Sequence, residues 1–302
     1  MRRVLTWTGI VIGGLLGLIV LAAAGVYVVS GARLSRTYAI QPAPVAVPTD
    51  QASLVRGQHL AVAIGKCGDC HGPNLGGQLF LDAGPVGVVR APNLTRGQGS
   101  AVSSFTDADW VRAVRHGVGQ DGRGLLIMPA DEYYYFSDAD LGALIAYVKS
   151  VPPVDNQVAR SEIGPLGHLL HVTGQLRLIA AEVIAHTGPR PAAPPAGPTV
   201  AYGAYLAQAG GCTGCHGPGL SGGRVPGTPP ERPPATNLTP GGAMQGWSED
   251  DFKRALRTGR RPDGREIDRF MPWIAAGQMT DEEIRAVWLY LQSVPPKPAG
   301  TR

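Results

Sequence analysis

Two copies of the pentapeptide C-x-x-C-H constrain this 302-residue chain more than any other feature. They read CGDCH at Cys67–His71 and CTGCH at Cys212–His216, and together they use all four cysteines. Two thiols at this spacing can each form a thioether to a vinyl group of one porphyrin, and the next residue's imidazole is then held under the iron. The pattern assigns Cys67, Cys70, Cys212 and Cys215 to covalent attachment of two haem c groups, with His71 and His216 as proximal iron ligands. A zinc site would need further Cys or His at ligand spacing near each pair. A thioredoxin-type pair needs a βαβ context that neither motif has. A disulfide framework leaves the two histidines unexplained.

The chain also repeats itself with a period near 144 residues. Cys67 matches Cys212 at an offset of 145, Asn93-Leu94-Thr95 matches Asn237-Leu238-Thr239 at 144, and Asp121-Gly122-Arg123 matches Asp263-Gly264-Arg265 at 142. Met128-Pro129 matches Met271-Pro272, and Val151-Pro152-Pro153 matches Val294-Pro295-Pro296, both at 143. Helix signals repeat as well. Thr106 and Ser248 read as N-caps with Asp109 and Asp251 three residues on, and Gly117 and Gly259 read as stops. Final helices begin at Ser137 and Thr280, the latter with Glu283 completing a capping box. Short apolar helices precede the cysteines, around Leu54–Ile64 and Val200–Ala209. No run of paired strands stands out, so each unit is expected to be a small all-α domain. The 42 Gly and 27 Pro imply long irregular loops around the cofactor.

Each unit resembles a class I cytochrome c: a helix before C-x-x-C-H, a methionine-proline loop and a terminal helix. The N-L-T and D-G-R…M-P elements are similar to those of membrane-bound multihaem cytochromes c that accompany periplasmic dehydrogenases. This chain has two haem motifs where cytochrome subunits of alcohol- and sugar-acid-oxidising dehydrogenases commonly have three. The resemblance implies that Met128 and Met271 supply the sixth, thioether ligands to iron, and His/Met ligation suits electron transfer. Met244 and Met279 read as packing or surface residues. His116 reads as a surface histidine at a helix C-terminus rather than a ligand, and His59 as structural.

The N-terminus reads as a membrane anchor. No charge occurs in the 29 residues from Val4 to Ala32, and a span needs roughly 20. Arg2 and Arg3 precede it, which keeps the N-terminus cytoplasmic and sends the rest outward. Trp7 and Tyr27 would sit at opposite interfaces. Ala22–Ala24 leave a cleaved signal peptide as the alternative. Gly9, Gly13 and Gly17 fall on one face and would permit close helix packing.

The expected organisation is an anchor (1–32), a tether (33–49), cytochrome c domain 1 (50–153), an inter-domain helical segment with a Pro-rich linker (154–198), cytochrome c domain 2 (199–297) and a tail (298–302). The stretch 154–188 is expected to form one or two helices on a haem domain or at the membrane surface. Its His168, His171 and His186 lack metal-site spacing. Residues 50–153 carry 8 Lys+Arg against 10 Asp+Glu, a net of −2; residues 201–302 carry 12 against 10, a net of +2. The arginines from Arg254 to Arg269 could steer a redox partner or pair with haem propionates. They lack interleaved aromatics, so nucleic acid is not expected.

The reading is thus a single-pass protein of the inner membrane with both haem domains on the periplasmic side. It would pass single electrons from a periplasmic dehydrogenase or quinol-oxidising complex to a soluble cytochrome or oxidase in a respiratory chain. It is read as an electron carrier rather than an enzyme. The alternatives are a dihaem cytochrome c peroxidase, against which the matching Met-Pro elements argue, and a dihaem subunit of a haem-copper oxidase.

Overall fold

The computed structural model describes residues 2–188, 192–229 and 231–301. Residues 189–191 of the expected Pro-rich linker, and the terminal residues 1 and 302, lie outside the described residues. Helix α1 (Arg2–Leu34) is long and apolar enough to cross a membrane. Gly9, Gly13 and Gly17 on it face open space.

The first repeat contains α2 (Gln51–His59), a π-turn (Leu60–Ile64), α3 (Cys67–His71), β1 (Gln78–Asp82), β2 (Gly87–Ala91), α4 (Asp107–His116), α5 (Ala130–Tyr133) and α6 (Asp138–Ser150). Between the repeats lie β3 (Glu162–Ile163) and α7 (Pro165–Val172). The second repeat contains α8 (Val200–Ala209), α9 (Cys212–His216), α10 (Glu249–Thr258), α11 (Trp273–Ala276) and α12 (Asp281–Ser293). The caps are those the sequence signals. Capping boxes open α4 at Thr106/Asp109, α10 at Ser248/Asp251 and α12 at Thr280/Glu283, and Gly117 and Gly259 close α4 and α10 in left-handed conformation.

Each repeat is built on one helix crossing, α2 with α6 and α8 with α12. Glycine makes the crossing possible. A Cβ on Gly57 would land on the Ala143 carbonyl, and one on Gly203 on the Ala286 carbonyl. Around these points Leu60, Ile64, Leu141 and Ile145 form the first core, and Leu206, Ile284, Val287 and Leu291 the second, all buried. The equivalent glycines are 146 residues apart, the first cysteines 145. The first repeat therefore carries one extra residue between them, and the π-turn at Leu60–Ile64 absorbs it. A single-residue insertion in a helix characteristically takes this form.

The chain is mainly helical, but the all-α expectation needs correction. Strands β1, β2 and β3 form an antiparallel sheet in that order, with a bulge between Leu79 and Leu81. These strands have at most five residues each and β3 has two, too few for alternation to be read from sequence. His116 also departs from expectation. It is 1% exposed, not a surface residue, and its Nδ1 lies 3.1 Å from Nδ1 of His186. The inter-domain segment folds back to put His186 there.

The two repeats pack with reciprocal contacts. Arg56 and Tyr202, each one residue before its crossing glycine, meet at 3.2 Å. His59 and Tyr205, two residues after it, each reach the acid in the first turn of the other repeat's final helix. His59 Nε2 lies 2.6 Å from Glu283, and the Tyr205 hydroxyl donates to Asp140 at 2.6 Å. Arg56 joins both acids, at 3.0 Å to Asp140 and 3.0 Å to Glu283. Helix α5 packs on α8, and α11 on the π-turn. This exchange is that of a local two-fold axis, and it gives His59 a role between domains rather than within one helix.

Two predictions follow from this packing. Gly57→Ala or Gly203→Ala should force the crossing helices apart and cost about 1–3 kcal/mol, read as a lowered thermal midpoint of the haem-loaded protein; an unchanged midpoint would refute the close contact. The second concerns Glu283. Burial opposes its ionisation, but the hydrogen bonds from His59, the Thr280 N–H and Arg56 win and hold it at about 2, below the ordinary 4.5. A depressed carboxyl contributes stability that is complete above about pH 4.5 and lost as pH falls towards 2. Glu283→Gln should remove on the order of 2–3 kcal/mol at pH 7. Its deficit should shrink as unfolding is measured at progressively lower pH, and a deficit constant between pH 7 and 3 would contradict the assignment.

Candidate functional site

The residues singled out in the first repeat converge. Cys67, Cys70, His71 and Met128 all line one cavity of about 960 Å³, near the upper end of the ~300–1,000 Å³ usual for cofactor sites. Its other walls are largely apolar, with Trp110, Phe136, Leu144 and Ile145 among them. In the second repeat Cys212 and Met271 pack against the main core, and His216 is buried.

Each histidine is oriented in the same way. His71 Nδ1 lies 2.8 Å from the Pro92 carbonyl, and His216 Nδ1 lies 2.7 Å from the Thr236 carbonyl. A carbonyl only accepts, so Nδ1 must carry the hydrogen, which makes Nε2 the unprotonated nitrogen that can ligate a metal. Burial also pushes the His71 imidazole below its ordinary value, favouring this neutral form.

The repeated N-L-T element holds those carbonyls in place. Asn93 follows Pro92, and its Oδ1 accepts from the Thr95 N–H at 2.9 Å and hydroxyl at 2.8 Å. Its Nδ2 donates to the Val154 carbonyl at 2.7 Å, and the Val154 N–H donates to the Thr95 hydroxyl at 2.9 Å. In the second repeat Asn237 accepts from Thr239 at 2.9 Å twice, and the pair clasps Lys297 through bonds of 2.8 and 3.1 Å. Each clasp ties the segment beside the histidine to the chain just past the final helix, which also explains why V-P-P repeats. The sequence displayed N-L-T as a repeat, but its structural role depends on a partner some sixty residues away.

Both methionine loops are fastened where they enter the final helix, and the first has further ties. The buried Arg115 donates to the Phe136 carbonyl at 2.8 Å and pairs with Asp138 at 2.7 Å. Arg257 repeats this with the Met279 carbonyl at 2.8 Å and Asp281 at 2.9 Å. The Tyr133 hydroxyl donates to the Gly65 carbonyl, joining the first loop to the residues before Cys67. Ile127 donates to the Leu178 carbonyl at 2.8 Å, so the inter-domain segment forms part of the support under Met128. Much of the basic stretch in the second repeat is likewise paired within the chain: Arg254 with Asp251, Arg260 with Glu266 and Arg265 with Asp263.

Burial raises the thiols, Cys67 to about 12 and Cys70 and Cys212 to about 11. Thiols held neutral in this way are poor thiolate nucleophiles and poor thiolate metal ligands. Among the described residues no group of three or more His, Cys, Asp or Glu is arranged to hold a metal ion, so His168, His171 and His186 form no such centre. Met244 and Met279 are buried core residues. A large apolar cavity, paired cysteines, an imidazole with unprotonated Nε2 and a thioether on the same lining fit a covalently attached haem.

Comparison with known proteins agrees. Residues 200–295 match the cytochrome c family, and residues 52–148 match the family of cbb3-type cytochrome c oxidase subunit III. The gluconate 2-dehydrogenase cytochrome c subunit of Pantoea cypripedii is 31% identical over 84% of this chain and 63% of its own length. The cytochrome c subunit of the alcohol dehydrogenase (quinone) of Komagataeibacter europaeus is 28% identical over 82% of this chain and 57% of its own. This chain thus spans roughly three-fifths of those relatives. A diheme cytochrome c-type protein of Cereibacter sphaeroides is 27% identical over 98% of this chain and 99% of its own. With the site geometry, these matches identify the chain as a multihaem c-type cytochrome, an electron-transport protein whose domains bind haem c covalently.

Proposed function

We propose that this protein is a membrane-anchored dihaem electron relay serving a periplasmic dehydrogenase. The observation that carries the reading is the joint between the apolar helix and the first haem site. Leu34, the last residue of α1, lines the same cavity as Cys67, His71 and Met128. With α1 as an anchor, the first redox centre lies close to the membrane surface, and the second domain extends the relay. The dehydrogenase as donor is supported by the names of the relatives, two of which are cytochrome subunits of gluconate 2-dehydrogenase and fructose dehydrogenase.

When bound, haem supplies a one-electron ferric/ferrous couple. In this reading Cys67 and Cys70 hold the first group and Cys212 and Cys215 the second. His71 and Met128 would ligate one iron, and His216 and Met271 the other. The Pro92 and Thr236 carbonyls keep the imidazoles in one tautomer. The arginine-anchored loops keep the thioethers in place, so little rearrangement accompanies a change of charge. Matching ligand sets in both repeats support transfer over peroxide turnover.

Two outcomes test this. Met128→Ala should leave two haems attached but remove one methionine-to-iron absorption band and lower that haem's potential; Met271→Ala should do the same for the other haem. A variant retaining both bands would refute the ligand assigned to that repeat. Fractionation with N-terminal sequencing should recover the native protein in the membrane with α1 intact. Recovery in the soluble periplasmic fraction without residues 1–24 would replace the anchored relay with a secreted carrier.

A further inference from the structure

The two haem-attachment turns meet at their starts, where one side chain joins them. Lys66 precedes Cys67 and caps α3 in left-handed conformation, φ 52°. Its counterpart before Cys212 is Gly211, φ 73°. A left-handed backbone costs a lysine roughly 1 kcal/mol or more that glycine avoids. Here the side chain offsets that cost with two bonds to carbonyls. Lys66 Nζ donates to Ile64 at 2.8 Å in its own domain and to Gly210 at 2.6 Å in the other.

Glu132, from the first methionine loop, stands over the second turn. A Cβ on Gly211 or Gly214 would run into its carboxylate. Gly211, just before CTGCH, and Gly214 within it therefore make room for an acid from the other domain. Burial pushes the Glu132 carboxyl up to about 7, and the Lys66 ammonium opposes that rise. The same ammonium opposes the burial-driven rise of the thiols of Cys67, Cys70 and Cys212. Its field reaches both turns.

We propose that Lys66 is a positioning residue for both redox centres: it fastens the start of one attachment turn to the start of the other and holds one positive charge beside the two. This rests on the dihaem reading above. A fixed cation favours the reduced, more electron-rich state of a nearby centre, and burial strengthens the effect. The hydrogen bonds keep the two turns in one relative geometry between electron arrivals. Because the position carries lysine in one repeat and glycine in the other, one charge serves two sites.

The test is spectroelectrochemical titration of the full-length, haem-loaded protein. Lys66→Gln keeps donors but removes the charge. At a fixed applied potential it should lower the reduced-to-oxidised ratio of both haems, by about threefold to tenfold. Lys66→Arg keeps the charge and should leave both ratios near native. Lys253→Gln, at an exposed pair with Asp281, should move neither. Should Lys66→Gln fail to fold, Glu132→Gln at pH 8 removes the opposing charge and should raise both ratios. Amide exchange in residues 210–214 should also quicken when Lys66 is replaced by Gln. Ratios unmoved in either haem, with two haems present by pyridine haemochrome, would overturn the role of Lys66 alone. A single haem in the native protein would overturn the dihaem reading and this assignment with it.

Discussion

One hydrogen bond in each repeat, from the attachment histidine to the carbonyl of residue 92 or 236, organises what surrounds it. It fixes which imidazole nitrogen can face a metal, and it requires that carbonyl to stay still. The Asn-Leu-Thr clasp meets the requirement with buried bonds to the chain beyond the final helix. The final helix is located in turn by its crossing with the first helix, which runs straight into the cysteines. The site is therefore closed on itself: first helix, attachment turn, carbonyl, clasp, last helix and back to the first helix at a glycine. Loops rich in Gly and Pro can be long here because these joints pin them, at Pro92–Thr95 and Val154 in the first repeat and at Thr236–Thr239 and Lys297 in the second.

Two such units can join only through surfaces the closed circuit leaves over. The starts of the final helices, with an acid in the first turn, and the ends of the first helices are what remains. Pairing them reciprocally lets each acid be met by a group from the other unit, Glu283 by His59 and Asp140 by Tyr205. The symmetry is broken where it affects electrostatics. Lys66 faces Gly211 as its counterpart, Arg56 faces Tyr202, and Glu132 corresponds to Ala275. In these three pairs the charged member comes from the first unit, while Asp140 and Glu283 give each unit one acid at the junction.

Much of this was legible in the sequence because it repeats. Two haem motifs, two Met-Pro loops, two sets of caps and a drifting offset of 142–145 residues fixed the number of units and their helices. The one-residue insertion at the π-turn lies before that drift begins and is marked only by the paired glycines at 57 and 203. What stayed hidden depends on distant partners. The small sheet uses β3, a two-residue strand about seventy residues after β2. His116 is buried beside His186, which is 70 positions away. His59 looked like a residue of its own helix because its partner, Glu283, is 224 positions away. Periodicity reports on local faces; it carries no information on which faces meet.

The inter-domain segment ties the apolar helix to this machinery. The Tyr27 ring packs on His168 with centroids 4.7 Å apart, and Ser30 lies 2.8 Å from the same imidazole. Arg33 forms a forked pair with Glu182, at 2.9 and 2.5 Å, and donates to the His171 carbonyl at 2.9 Å. Leu178 and Ile179, a few residues before Glu182, support the loop that carries Met128. A flexible tether would let the first domain tumble above a membrane. This joint instead fixes the direction of α1 relative to the cavity of the first repeat, since a ring contact, a hydrogen bond and a forked ion pair must all break before the helix can pivot. The end of the helix, the segment after the first repeat and the methionine loop thus form one continuous packed unit.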